Sequence, residues 1–204
     1  MIMDKKKSII AVLLVTAMLL IASACGSGSG GASQTNLTGT AEEVLQMVLD
    51  GIVEKGVETP MALPPLAPQP ESAEHDIGLS EANFNRLVET ASSSVAAIGT
   101  FAHQIVIIQA KNDAMAGEVK TLVSGSGGYD AKKWICVFPD VAIVVESGSY
   151  VLLAASTNEI VAAAISVFET VAGNTGTVTT FWDFASEDID VDAGFGGGLI
   201  TIDP

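Results

Sequence analysis

Val141-Ala142-Ile143-Val144-Val145-Glu146, then Ser147-Gly148-Ser149, then Tyr150-Val151-Leu152-Leu153-Ala154-Ala155 is the stretch that decides the fold. Two runs of β-branched and aliphatic residues, joined by three small residues with glycine in the middle, read as a β-hairpin. Working back from it, His103–Ala110 holds Ile105-Val106-Ile107-Ile108, a continuous β-branched run expected of a central strand covered on at least one face. Ser92–Ile98 is small and β-tolerant and supplies a fourth strand.

Helical spacing fills the gaps between these runs. Thr40 with Glu43 three residues on fits a capping box, and Val44, Leu45, Val48, Leu49, Ile52 and Val53 recur on one face until Gly56. Ser80 caps a second helix expected to reach about Ala91, with Phe84, Leu87 and Val88 inward. Asn112 or Asp113 opens a third, to about Val123, closed by Ser124-Gly125-Ser126-Gly127-Gly128. Asn158 caps a last one to about Val171, with Ile160, Val161, Ala164, Ile165 and Phe168 on its face. Strands paired in succession with helices between the pairs predict an α+β fold. The expected form is two layers, an antiparallel four-stranded sheet with helices mainly on one face.

The flanks differ in kind from this domain, placed at 37–172. Residues 57–76 form a connector in which Pro60, Pro64, Pro65, Pro68 and Pro70 fix φ and remove donors, so an extended strap or spacer is expected. Residues 173–204 are rich in Gly, Thr and Asp yet hold Phe181, Trp182, Phe184 and Phe195. Read as an acidic, aromatic-containing tail, this segment is expected to be dispensable for folding. Its aromatics then either dock on a partner or wall glycan, or tuck onto their own domain.

The N-terminus carries an address. Lys5-Lys6-Lys7 precedes the uncharged run Ile9–Ile21, then Ala22-Ser23-Ala24 and Cys25. A basic block, a short apolar run and small residues describe a secretory signal peptide over 1–24, and the run is shorter than the ~20 apolar residues a spanning helix needs. The cysteine directly after the small residues resembles the lipobox of bacterial lipoproteins, with Ala22 where Leu is usual. That resemblance implies diacylglyceryl attachment at Cys25, cleavage before it, and a chain anchored to the membrane through lipid. Two acyl chains hold stably where one is marginal. Residues 25–36, Gly/Ser-rich from Gly26, then form a flexible tether. The implied location is the outer face of the cytoplasmic membrane.

Charge narrows the partners. With 9 Lys+Arg against 24 Asp+Glu the net charge is −15, and removing a leader with three lysines makes the mature chain more negative. That sign excludes nucleic acid, whose binding depends on Lys and Arg releasing counterions, and disfavours anionic lipid surfaces. With Cys25 lipidated, Cys136 is left alone in an apolar run, so no disulfide framework exists and the fold depends on its core.

Candidate chemistry is sparse. His75 lies in the connector and His103 opens a strand; no G-x-S-x-G elbow is present, and nothing in the spacing brings Cys136 to His103. Gly125–Gly128 follows a helix instead of preceding one, so it reads as a turn and not a phosphate cradle. Asp188, Asp190 and Asp192 alternate as in a calcium loop. The glycine comes one position late, and Leu199 stands where the twelfth-position glutamate should be. No catalytic residue, cofactor or metal site is assigned.

The stretches Trp134-Ile135-Cys136-Val137-Phe138-Pro139, Val144–Leu153 and Ile77–Val88, together with the passage His103–Lys111, resemble the bacterial, Firmicute-type lipoproteins registered as domain of unknown function 4358. The resemblance covers roughly 37–172 and stops before the tail. It implies a cell-surface lipoprotein with an α+β domain and carries no activity to transfer. The expected function is a membrane-tethered, non-enzymatic interaction or accessory module with a protein or cell-wall partner. The alternatives are an extracytoplasmic enzyme acting on wall or peptide substrates and a small ligand-binding lipoprotein.

Overall fold

The structure, a computed structural model, describes residues 35–134 and 137–186. Cys25, the leader and most of the tether lie outside the described residues, as do Cys136 and the Asp188, Asp190 and Asp192 triplet.

The order of elements is α1 (Ala41–Glu54), α2 (Ala73–Ile77), α3 (Glu81–Leu87), β1 (Val88–Val95), β2 (Gln104–Ala110), α4 (Asp113–Ser124), β3 (Val141–Ser147), β4 (Tyr150–Ser156), α5 (Asn158–Ala172) and β5 (Thr177–Asp183). The fold is α+β, as expected, around one open antiparallel sheet. That sheet has five strands and not four, in the order β1-β2-β4-β3-β5.

The hairpin forms as read, with Gly148 at φ +56° in its turn. Ser147 already pairs with Tyr150, so the connection is the two residues Gly148-Ser149. The capping box also forms: Thr40 Oγ1 accepts from the Glu43 amide at 3.3 Å, and the Glu43 carboxylate accepts from the Thr40 amide at 2.8 Å. The cap of α5 is Thr157, one residue before Asn158, its hydroxyl accepting from the Ile160 amide. Helix α3 stops at Leu87, short of the expected Ala91. The residues that follow pair with β2, with one irregularity between Val88 and Thr90, and that tertiary pairing outweighs their helical spacing.

The fifth strand is the larger correction. Thr177–Asp183, assigned by sequence to a tail, pairs antiparallel with β3 along its length. A bulge at Phe181 turns the strand there, as bulges do. Phe181 packs against the core and meets Tyr129 edge-on, its ring centroid at 6.0 Å. Trp182 is buried, and its indole N–H donates to the Pro139 carbonyl at 2.9 Å. Both therefore pack as part of the sheet-bearing domain.

The second correction concerns the layers. Helices cover both faces of the sheet. Alternation divides each central strand, so Ile105, Ile107, Ile143, Val145, Leu152 and Ala154 pack with α1 and α5. Val106, Ile108, Val144, Val151 and Leu153 pack on the other face with α2, α3 and α4. Topology requires this arrangement. The chain steps from β2 over β4 to β3 through α4, and from β4 over β3 to β5 through α5, moving the same way across the sheet. Because β2 and β4 are antiparallel, two crossovers of one hand must put their helices on opposite faces.

The proline-rich connector is a strap along the outer edge of β1. Leu63 donates to the Val95 carbonyl and Leu66 exchanges both backbone bonds with Ser93. Prolines between them cannot donate, which limits the strap to isolated bridges while still covering a strand edge. His75, placed in this connector by sequence, lies on the short helix α2 and is exposed.

Candidate functional site

The antiparallel register that pairs Gln104 with Ala155 and Val141 with Ser156 brings His103 opposite Ser156 where β2 and β4 meet the same end of the sheet. His103 Nδ1 lies 2.9 Å from Ser156 Oγ, and both residues are about 1% exposed. They line a cavity of about 170 Å³ closed by Pro60 of the strap, Phe101 and Ala102 of the β1–β2 connection, Phe138 to Asp140, and Thr157 and Ile160 of α5. An open groove of about 650 Å³ continues outward, sharing Pro60, Phe101, Asp140, Thr157 and Ile160 and adding Glu58 and Glu159.

The mouth of this cleft is aromatic. Phe101, Phe138 and Phe184 are among the exposed large side chains, and Phe138 stacks on Phe184 with ring centroids 6.2 Å apart. Strand β5 builds this rim. Trp182 holds Pro139 through its indole, Phe138 lies against the Trp182 ring, and the Phe184 amide donates to the Asp140 carbonyl at 2.9 Å. Of the tail aromatics weighed as docking groups, Phe181 and Trp182 have turned inward and Phe184 remains at the surface.

The chemistry of the pair argues for recognition more than for catalysis. Burial pushes the His103 imidazole down to about 4, so it is neutral near pH 7 and a weak base, whereas a general base works best with a pKa near the operating pH. Ser156 precedes the start of α5, where amides could stabilise an oxyanion. One of those amides, Asn158 N, already donates to the Asp140 carboxylate at 3.1 Å. The pair instead sets a small polar floor beneath apolar walls, as in ligand pockets.

A second polar cluster lies inside the α2–α4 face, and it is structural. Lys133 Nζ donates to the carbonyls of His75 and Asp76, at 3.1 and 3.0 Å, and to Gln104 Oε1 at 2.8 Å, which accounts for all three ammonium hydrogens. Gln104 Oε1 also accepts from the Tyr129 hydroxyl, while its amide donates to Ser93 Oγ and the Asp76 carbonyl. Burial pulls the Lys133 ammonium down to about 8 against the attraction of Asp76 and Asp130, and burial pushes the Tyr129 hydroxyl up. The cation sits at the carbonyl end of α2 and fastens it to β2.

Of the residues weighed from sequence, His103 belongs to the cleft and His75 does not; Cys136 and the aspartate triplet lie outside the described residues. Sequence reasoning missed Ser156 and Asp140. Ser156 comes against His103 only through the β2–β4 register, extended one residue past Gln104 and Ala155, a long-range pairing that the hairpin signal does not announce. Among the described residues no group of three or more His, Cys, Asp or Glu could hold a metal ion, and no helix is long and apolar enough to cross a membrane. No family model, curated protein or solved structure matches this chain.

Proposed function

We propose that the chain is an extracytoplasmic lipoprotein of the kind its sequence resembles. In this reading it is held at the outer face of the cytoplasmic membrane by a diacylglyceryl group on Cys25 and acts as a non-enzymatic recognition module through the cleft at His103 and Ser156. The observation that carries the first half is the run from Lys5 to Cys25: basic, apolar, small, then cysteine.

The geometry of the domain supports the second half. The chain enters the described fold at the hairpin end of the sheet. Thr35 lies against Gly148, the Asn36 amide donates to the Ala172 carbonyl at 2.7 Å, and the Tyr150 hydroxyl donates to the Gly39 carbonyl. The cleft opens at the other end of the seven-residue β4, roughly 20 Å away at strand rise. Thr35 to Gly39 and the aromatic mouth therefore lie at opposite ends of β4.

Membrane fractionation tests the reading. The wild-type chain should sediment with membranes and leave them only with detergent, and Cys25→Ser should be absent from membranes as a processed form. Wild-type protein in the soluble fraction would contradict it. The enzymatic alternative has one observation in its favour, the contact between His103 and Ser156. A fluorophosphonate probe decides between them: no label at Ser156 is expected, and labelling abolished by Ser156→Ala would favour a hydrolase.

A further inference from the structure

We propose that this cleft binds a cationic peptide segment of a protein partner, with one apolar side chain of that segment seated in the inner cavity over His103 and Ser156. The inference rests on the recognition reading above and names the class of partner. Three observations converge on it.

Size comes first. The inner cavity, about 170 Å³, is well below the ~300 Å³ at which pockets for whole small molecules begin, so it suits a single side chain. Its continuation into a groove of about 650 Å³ past Pro60 and Thr157 gives the flanking residues of a peptide somewhere to lie.

Charge comes second. The groove carries Glu58, Asp140 and Glu159, all exposed, and among its described lining residues there is no lysine or arginine. The start of α5 contributes roughly half a positive charge, and the Asn158 amide engages Asp140; the sign of the groove stays negative. The whole chain has the same sign, at −15, which steers cationic partners toward it and repels anionic ones.

The third is the rim. Phe101 is 53% exposed at the border between cavity and groove, where an aromatic face attracts a lysine or arginine side chain. Apolar walls inside and carboxylates with an aromatic ring outside match an apolar residue flanked by basic ones. A polyamine offers no anchor for the cavity, and an anionic lipid surface carries the wrong sign.

Fluorescence anisotropy on the mature, lipidated chain in phosphatidylcholine nanodiscs tests this. The probe is a labelled pentapeptide of four lysines around a central phenylalanine. The same peptide with central alanine, and one with glutamates replacing the lysines, are the comparisons. The expected result is saturable binding of the first, at least tenfold weaker binding of the alanine peptide, none of the glutamate peptide, and marked weakening in 0.5 M salt, a concentration at which the screening length is only about 4–5 Å.

The exposed-site pair Glu58→Lys with Glu159→Lys should weaken binding about tenfold while lowering the melting temperature by only a few degrees, since Glu159 lies in the first turn of α5, and Phe101→Ala should weaken binding several-fold. Equal binding of lysine and glutamate peptides, or no effect of the charge-reversed pair, would overturn the proposal. So would equal binding to protein-free nanodiscs. Membrane fractionation of the wild-type chain, read beside the titration, separates the two readings. Wild-type chain that is anchored but ignores the peptide refutes the ligand class alone. Wild-type chain that binds the peptide but is never anchored refutes the tether alone.

Discussion

His103 shows how one side chain couples the fold to pH. Its imidazole has an ordinary pKa of 6.5 and is held near 4 by burial. Between those values the unfolded chain takes up a proton that the folded chain refuses. Stability is therefore full above about pH 6.5 and falls as pH drops toward 4, by on the order of 3 kcal/mol across the window. Urea denaturation at a series of pH values should show this limb, and His103→Asn should flatten it while keeping a polar partner for Ser156. An unchanged slope in the variant would mean that the limb comes from carboxylates. The pairing was legible from sequence only in part. The histidine was visible at a strand start, but its partner is 53 residues away and emerges only from the strand register.

At the scale of elements, β5 decides most. It contributes an edge strand, a tryptophan in the core and the residues that fix the cleft mouth. Deleting Gly173–Pro204 should abolish cooperative thermal unfolding, and Trp182→Ala should cost about 3–5 kcal/mol, measured by chemical denaturation. A truncated chain with an unchanged melting temperature would contradict this account of the strand. Sequence concealed β5 for a physical reason. Thr177-Val178-Thr179-Thr180 buries no residue fully and leaves even its one apolar side chain, Val178, exposed; it follows a glycine-rich passage and pairs with a strand some 35 residues earlier, so nothing local announces it.

The second helical layer was more legible than the reading made of it. All seven residues of β4 are buried, and its unbroken apolar run has no polar alternate face. Such a strand needs cover on both sides, which a single helical layer cannot give. The hairpin and the α1 cap were readable because their signals are local, a glycine turn between two β-branched runs and a threonine three residues before a glutamate.

For the whole molecule, the two ends of the sheet differ in what they carry. The chain enters at the hairpin end, where Thr35 and Asn36 are fastened beside Gly148 and Ala172, and the aromatic cleft occupies the far end. A Gly/Ser tether reaches about 5–6 Å times the square root of its length, so a domain anchored at Cys25, as proposed, would stay within a few nanometres of the bilayer. The most direct test of this account is mass spectrometry of the N-terminal peptide from membrane-extracted protein. The account predicts a chain beginning at Cys25 with a diacylglyceryl group on its sulfur; an intact Met1 terminus, or a free Cys25 thiol, would contradict it.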